Sequence, residues 1–147
     1  MALRRQSQQG QTALKAEQAA HRATHAFFQR VLDVIPHPVY LKDSESSYLL
    51  VNEAFIRDKG RSREELVGSN GIAPGYPESV RQQHEEDQAV MAGTPLWKEE
   101  HKTHVITRQE VFRIITKGSC LDAEGAPVIV GSHFDITELR QAQHDLA

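Results

Sequence analysis

Residues 35–68, from which the fold can be predicted, have the sequence IPHPVYLKDSESSYLLVNEAFIRDKGRSREELVG. Within it, two short runs of β-prone residues, 39–42 and 48–51, flank a polar turn that contains Asp and Ser. Asp and Ser favour turns because their short side chains can hydrogen-bond to the nearby backbone. The sequence therefore predicts a β-hairpin at this point of the chain.

Two brief helices are expected to follow this hairpin. The side-chain oxygen of Asn52 can cap a helix over 53–59, and Gly60 can end that helix in the left-handed conformation. Ser62 begins a second helical turn, with a glutamate three residues later as its capping-box partner and Gly68 as its end. We therefore expect these Asn and Gly residues to be structural markers of the segment.

The same residues resemble the front half of a PAS domain of the S-box and PAC type. The residues that carry the resemblance are Pro36, Pro38, Asp43, Asn52, Phe55, Gly60, Ser62, Glu65, Leu66 and Gly68. The run FDITE over 134–138 resembles the ending of the same family, so the likeness spans 27–140. It implies a cytoplasmic sensor module from a bacterial signalling protein, whose full-length form could be attached to a membrane.

Composition sets outer limits on the function. The chain has 147 residues, 39% of them hydrophobic, which is enough for a single core. Its net charge of -3 argues against nucleic acid as a partner. No apolar run approaches the roughly 20 residues that cross a bilayer. The single cysteine, Cys120, suits a reducing cytoplasm.

The N-terminal part divides into two segments. Residues 1–10 are polar and rich in Gln, and we expect them to be disordered or frayed. Residues 11–35 contain no Pro or Gly, which predicts an amphipathic helix that Pro36 ends. A heptad-like seam along it indicates a signalling or dimerisation helix; the alternative is a solvated helix whose alanines serve helix propensity alone. The seam positions are 13, 16, 20, 23, 27, 30 and 34.

The second half of the chain reads as one helix and three strands. A loop rich in Gly and Pro leads to a helix over 78–91. Three strands are expected at 96–106, 110–117 and 127–134, with a turn at 122–125 between the last two. Because no helix lies between these strands, they are expected to pair antiparallel. The predicted architecture is an α+β fold with a five-stranded antiparallel sheet, helices inserted between strands 2 and 3, and flanking terminal helices. It also follows from the PAS resemblance, with the PAS domain placed at 36–135.

The end of the last strand is the predicted point of signal coupling. Asp135 can cap the next helix, with Glu138 as its capping-box partner. Residues 136–147 are expected to begin a linker helix that leads to an output domain outside this sequence. We assign signal coupling to Asp135, Ile136 and Thr137; the alternative is that Asp135 is only a helix cap.

A ligand, if one binds, is expected against the late strands of the sheet. The lining would come from Trp97, Arg113, Ile115 and His133. Arg113 and Ile115 are alternate residues of one strand and so share a face. Whether that face or the more apolar one with Phe112 points inward is open. An inward Arg113 would suit a carboxylate.

No pattern for catalysis or for a cofactor is evident. No catalytic residue and no metal site is predicted. His21 and His25 lack a third ligand, and His101 and His104 lie three apart on a predicted strand, so they point to opposite faces. Haem is not expected because polar Gln and Glu residues surround His84, and the resemblance implies no flavin because 53–75 contains no Cys.

The leading interpretation is a sensory module that is not itself an enzyme. It would bind a small molecule or a partner and relay the signal through its C-terminal helix. By family resemblance, the fused output domain would be a histidine kinase of a two-component system or a diguanylate cyclase. The heptad-like stripes over 13–34 and 136–146 predict a homodimer through the terminal helices. The alternatives are a small α+β enzyme with a pocket and a ligand-free dimerisation scaffold.

Overall fold

The structure, a computed structural model, describes residues 2–146. Five helices and five strands occur in it, in the order α1 Ala2–Asp33, β1 Val39–Lys42, β2 Tyr48–Val51, α2 Glu53–Lys59, α3 Arg63–Leu66, α4 Pro77–Met91, β3 Leu96–Thr103, β4 Glu110–Leu121, β5 Pro127–Asp135 and α5 Thr137–Leu146.

The strands form one antiparallel sheet in the order β2-β1-β5-β4-β3. Helices α2, α3 and α4 lie between β2 and β3 in sequence, so the predicted α+β fold is confirmed. β3 ends at Thr103, before the predicted limit, because the backbone turns and the amide of Arg108 donates to the carbonyl of His104. β4 extends beyond the predicted limit, since its pairing with β5 continues to Leu121.

The caps predicted around α2 and α3 are present. The Oδ1 atom of Asn52 accepts a hydrogen bond of 3.0 Å from the amide of Phe55, and Gly60 ends α2 with φ 67°. Ser62 caps α3 by accepting from the amide of Glu65. α3 itself ends at Leu66 with Val67 as its C-cap, one residue before Gly68, whose amide donates to the carbonyl of Tyr48.

α1 begins at Ala2, so the predicted disorder of the first ten residues is wrong for residues 2–10. Met1 lies outside the described residues. Most side chains of that segment are good helix formers, and Gly10 is tolerated inside the helix although it costs about 1 kcal/mol. Leu32 is the buried residue of α1, so most of the helix extends away from the domain. No helix within 2–146 combines the length and apolar character needed to cross a bilayer.

The hydrophobic core lies between the first hairpin and α2. Its buried members are Tyr40, Tyr48, Val51, Phe55 and Leu66. Complete burial of a side chain such as Phe55 stabilises the fold by about 1.5–3 kcal/mol. The ring of Tyr40 lies so close to Gly131 on the next strand that a Cβ atom at this position would clash with it. α4 covers the remaining inner face of the sheet, and this arrangement positions the candidate site.

Candidate functional site

A cavity of about 270 Å³ lies between the inner face of the sheet and the helices α2 and α4. Its lining is mostly charged or polar, with aromatic and aliphatic side chains on one part of the wall. The lining residues are Tyr40, Tyr48, Lys59, Ile72, Ser79, Gln82, Gln83, Glu86, Lys98, Glu100, Arg113, Ile115, Lys117 and His133.

Three of the four residues predicted to face a ligand line this cavity: Arg113, Ile115 and His133. Ile115 pairs directly with His133 across the ladder, so their side chains share the inner face. The fourth, Trp97, is a wrong prediction, because it pairs with Thr116 on the outer face and is 62% exposed. Its strand alternates with period two, so Lys98 and Glu100 point inward in its place.

Arg113 is only 8% exposed and holds one end of the cavity together. Its guanidinium donates to Glu100 at 3.0 Å and to Nδ1 of His133 at 3.2 Å, and it lies 3.5 Å from Asp58. Two carboxylates therefore neutralise an inward-facing arginine on a strand. This explains why the more polar face of β4 points inward and the face with Phe112 points outward.

His133 is held neutral by the same contacts. Because a guanidinium only donates, Nδ1 of His133 is the acceptor and its proton sits on Nε2. Burial, and then the positive charge of Arg113, hold the pKa of His133 far below its ordinary value. His133 thus contributes an acceptor and an edge-on ring against Tyr40, without a charge.

A second ionic cluster lies under α4. Asp87, which is fully buried, accepts from Lys117 at 2.8 Å and from Lys42 at 3.2 Å. Burial alone would raise the pKa of Asp87, but the hydrogen bond from Lys117 and the charge of Lys42 outweigh it, so that pKa is lowered. Burial, and then the charge of Lys117, lower the pKa of Lys42 to about 8. Glu86 accepts from Lys117 at 2.6 Å and from Lys98 at 2.9 Å, at the edge of the cavity.

The sequence reasoning missed this second cluster. It interpreted α4 as a helix with a wet face, yet Asp87 precedes Val90 by three residues and shares its buried side. Lys117 likewise follows Arg113 and Ile115 at alternate positions of one strand, and so lies on their face. The spacing of Asp87 and Lys117 therefore indicated that both are buried. Charged residues are rarely buried, so their residue types argued against this interpretation.

A second cavity of about 330 Å³ also has Arg113 and His133 in its wall and reaches Asp135 at the end of β5. His104 closes part of it. The Nδ1 atom of His104 accepts from the amides of Ile106 and Thr107, at 3.1 and 3.3 Å, so Nε2 donates to Asp58 at 2.9 Å. The β3–β4 connection is thereby attached to α2.

The junction between the sheet and α5 involves the three residues predicted for coupling. The Oδ1 atom of Asp135 accepts from the amide of Thr137 at 2.8 Å, while the expected return bond from Glu138 is not formed within the described residues. The amide of Ile136 donates to the carbonyl of Phe112 at 2.8 Å, and the amide of Phe112 donates to Oγ1 of Thr137 at 3.0 Å. Both sides of the Phe112 backbone therefore hold the start of α5.

The histidines do not form a metal centre within 2–146, where no three His, Cys, Asp or Glu side chains are grouped to hold an ion. His84 is exposed, does not line the cavity, and contacts Ser46 and Gln88. His101 stacks on Phe112 on the outer face of the sheet, with ring centroids 4.2 Å apart.

Comparisons place the chain among known folds. The sequence model of a family described as PAS fold matches residues 32–141. No curated protein matches the chain in sequence.

Three solved structures are similar to this one. The PAS domain of BvgS from Bordetella pertussis is 24% identical with a TM-score of 0.64, over 84% of this chain and 96% of that one. The PAS domain of an HTR-like protein from Haloarcula marismortui is 12% identical with a TM-score of 0.59, over 83% and 99% of the two chains. A domain of the sensory box sensor histidine kinase/response regulator from Geobacter sulfurreducens is 20% identical with a TM-score of 0.55, over 83% and 96%. At these identities the likeness shows the fold.

Proposed function

Since this chain belongs to the PAS family, we propose that it binds a small molecule in the cavity beneath α4 and relays binding through α5 to an output domain. PAS domains are sensory domains typical of signal transduction proteins, and they are generally not catalytic. The observation that carries the proposal is a cavity of about 270 Å³ lined by Arg113, Lys98 and Lys117 on one wall and by two tyrosines on another.

The lining chemistry favours a small polar ligand over haem or flavin. Charged and hydrogen-bonding side chains form most of the wall, whereas a large planar cofactor would need an extensive apolar surface. A ligand with a carboxylate suits a cavity whose lining includes several cationic side chains, and its remainder can pack on Tyr40, Tyr48 and Ile115.

The relay is supported by two consecutive residues of β4. Arg113 lines the cavity, and the backbone of its neighbour Phe112 holds Ile136 and Thr137 at the start of α5. A ligand that displaces Arg113 would therefore shift the strand at the point where α5 is attached. Such a shift requires only different ligand affinities for two states of the domain.

The proposed output is a histidine kinase of a two-component system, with a diguanylate cyclase as the second candidate. The similarity to a domain of a sensor histidine kinase favours the first. α5 would then be the beginning of the linker helix to that domain.

A homodimer through the terminal helices is part of the proposal. α1 has 32 residues, yet its buried residue is Leu32, while Leu14 and Phe27 are 54% and 61% exposed. A largely solvated helix gains little stability from propensity alone, because most helical stability comes from packing of an apolar face. A second copy of α1 would supply that packing.

The test combines native mass spectrometry with a variant that fills the cavity. We expect the purified protein to carry a small molecule that dissociates on unfolding, and Ile115→Phe, whose side chain lines the cavity, to lose it. Ile114→Phe on the outer face is the matched control and should keep the ligand. Two results together would reject the proposed cavity function. They are that the purified protein carries no ligand, and that the full-length Ile115→Phe and Ile114→Phe variants respond equally to stimulus.

A further inference from the structure

Charge pairing around the cavity leaves one lining cation without a carboxylate. Lys117 lies 2.6 Å from Glu86, Lys98 lies 2.9 Å from the same carboxylate, and Arg113 lies 3.0 Å from Glu100. The protein's own anions therefore already neutralise these three cations. An incoming anion would have to compete with an existing ion pair at each of them.

Lys59 is different. It is the last residue of α2, it is half-buried, and it lines the cavity. No Asp or Glu oxygen in the described part of the chain lies within 4.0 Å of its Nζ atom. Its recorded contact is with the ring of Phe55, whose centroid is 5.5 Å away. The ammonium group of Lys59 therefore faces a polar cavity and can pair with an anion that binds there.

The charges near Lys59 add up to an excess of positive charge. Lys102 from β3 and Arg113 from β4 are the neighbouring cations that repel it most, and Asp58 and Glu100 are the carboxylates that attract it. Three cations, Lys59 included, therefore face two carboxylates, and His133 beside them is neutral. One additional negative charge would balance this end of the cavity.

We propose that Lys59 is the primary anion-binding residue of the cavity and that its ligand is a small organic acid bound through one carboxylate. This inference rests on the ligand-binding function proposed above. It also moves the carboxylate contact from Arg113, where the sequence placed it, to α2.

The protonation behaviour of Lys59 agrees with this geometry. Burial first, and then the charges of Lys102 and Arg113, lower the pKa of Lys59 to about 8. A carboxylate beside the ammonium group removes part of that cost, so its binding raises the pKa again. When an acid binds at about pH 8 or somewhat above, Lys59 should therefore take up protons from the solution.

The experiment measures affinity and the state of Lys59 together. The probes are acetate, pyruvate, succinate and benzoate, each compared with its amide, which has similar shape and no charge. Titration calorimetry is performed on the wild type, on Lys59→Met and on Lys59→Arg. The matched control is Lys15→Met, which removes one positive charge from an exposed position of α1 that does not line the cavity.

If the inference is correct, at least one acid binds the wild type and its amide does not. Loss of a charge-assisted hydrogen bond should weaken that acid about tenfold or more in Lys59→Met. Lys59→Arg should retain most of the affinity, and Lys15→Met should leave it unchanged. Should Lys59→Met fail to fold, NMR of the lysine ε-carbons in the wild type gives the same answer, since the acid should raise the pKa of Lys59 selectively.

Two results would overturn the inference. The first is equal affinity of the acid for the wild type and Lys59→Met, which leaves cavity binding intact and removes only the role of Lys59. The second is that no probe acid binds the wild type. In that case a neutral ligand found by native mass spectrometry would preserve the proposed function, and the absence of any ligand would reject both.

Discussion

Lys117 donates from its Nζ atom to Oδ1 of Asp87 over 2.8 Å, and Asp87 is fully buried. The pair joins β4 to α4, and Lys42 on β1 joins the same carboxylate from the other side. One carboxylate of α4 therefore fixes the helix over two strands of the sheet, directly beside the cavity.

The first prediction is that Asp87→Ala destabilises the domain by about 3–5 kcal/mol, because it leaves two buried ammonium groups short of a counter-ion. Urea unfolding measures the loss. Glu85→Ala, on the exposed side of the same helix, should change stability by less than about 0.5 kcal/mol. Since the folded-state pKa of Asp87 is lowered, its stabilisation is present above about pH 4 and disappears as pH falls through that lowered pKa. Equal effects of the two substitutions would contradict this account.

The second prediction concerns His133. Because its folded-state pKa is depressed, the unfolded chain binds a proton that the folded domain does not, and stability should fall as pH drops below about 6.5. His133→Gln keeps an acceptor for Arg113 but cannot titrate, so its stability should decrease less steeply between about pH 6.5 and pH 5. His144→Gln, on exposed α5, is the matched substitution at a position outside the cavity. Parallel pH profiles of wild type and His133→Gln would refute the assignment.

The third prediction concerns Asn52, which is fully buried and joins three elements. Its Oδ1 atom accepts from the amides of Val39 and Phe55, and its Nδ2 atom donates to the carbonyls of Leu32 and His37. Asn52→Ala should cost at least about 3 kcal/mol, because several buried backbone groups lose their partners. Thermal and urea unfolding check the value. A loss typical of a single helix cap, about 1 kcal/mol, would show that these bonds are replaced.

The fourth prediction tests the junction with α5 in the full-length protein. Thr137→Ala removes the oxygen that accepts from the amide of Phe112, and it should abolish the response of output activity to stimulus while the domain stays folded. Thr137→Ser retains the hydroxyl and should keep the response. Asp135→Ala loses a cap worth about 0.5–2 kcal/mol and should weaken the response as well. Normal stimulation of Thr137→Ala and Asp135→Ala would leave these residues with a structural role only.

The fifth prediction addresses α1. Deletion of residues 2–26 removes most of the exposed helix but keeps Leu32 and the bond from Gln29 to the carbonyl of Val51. The shortened protein should therefore remain folded and become monomeric, as measured by light scattering after size-exclusion chromatography. An alanine-rich seam buries little area, so a moderate association is expected in the parent protein. A shortened protein that stays dimeric at low concentration would disprove the role of α1.

The order of the helices and strands, and the N-terminal caps of α2 and α3, could be predicted from the sequence alone. Asn52, Gly60 and Ser62 act through bonds and backbone angles within a few residues, so local pattern was sufficient to place α2 and α3. The strands were found for the same reason, since period-two alternation and turn residues are local. Disorder was wrongly predicted for residues 2–10 because a polar composition does not by itself exclude a helix when the residues have high helix propensity.

Which face of the sheet points inward depends on contacts between residues that are distant in sequence. Arg113 and Lys117 can lie inside because Glu100, Asp58 and Asp87 arrive from other elements to neutralise them. Trp97 lies outside because its partner on β4 is Thr116. Burial of a charge depends on a counter-ion that is distant in sequence, so the spacing of Asp87 or of Lys117 within its own segment does not show that the charge can be buried. For the same reason, only the folded structure shows that no carboxylate within residues 2–146 pairs with Lys59.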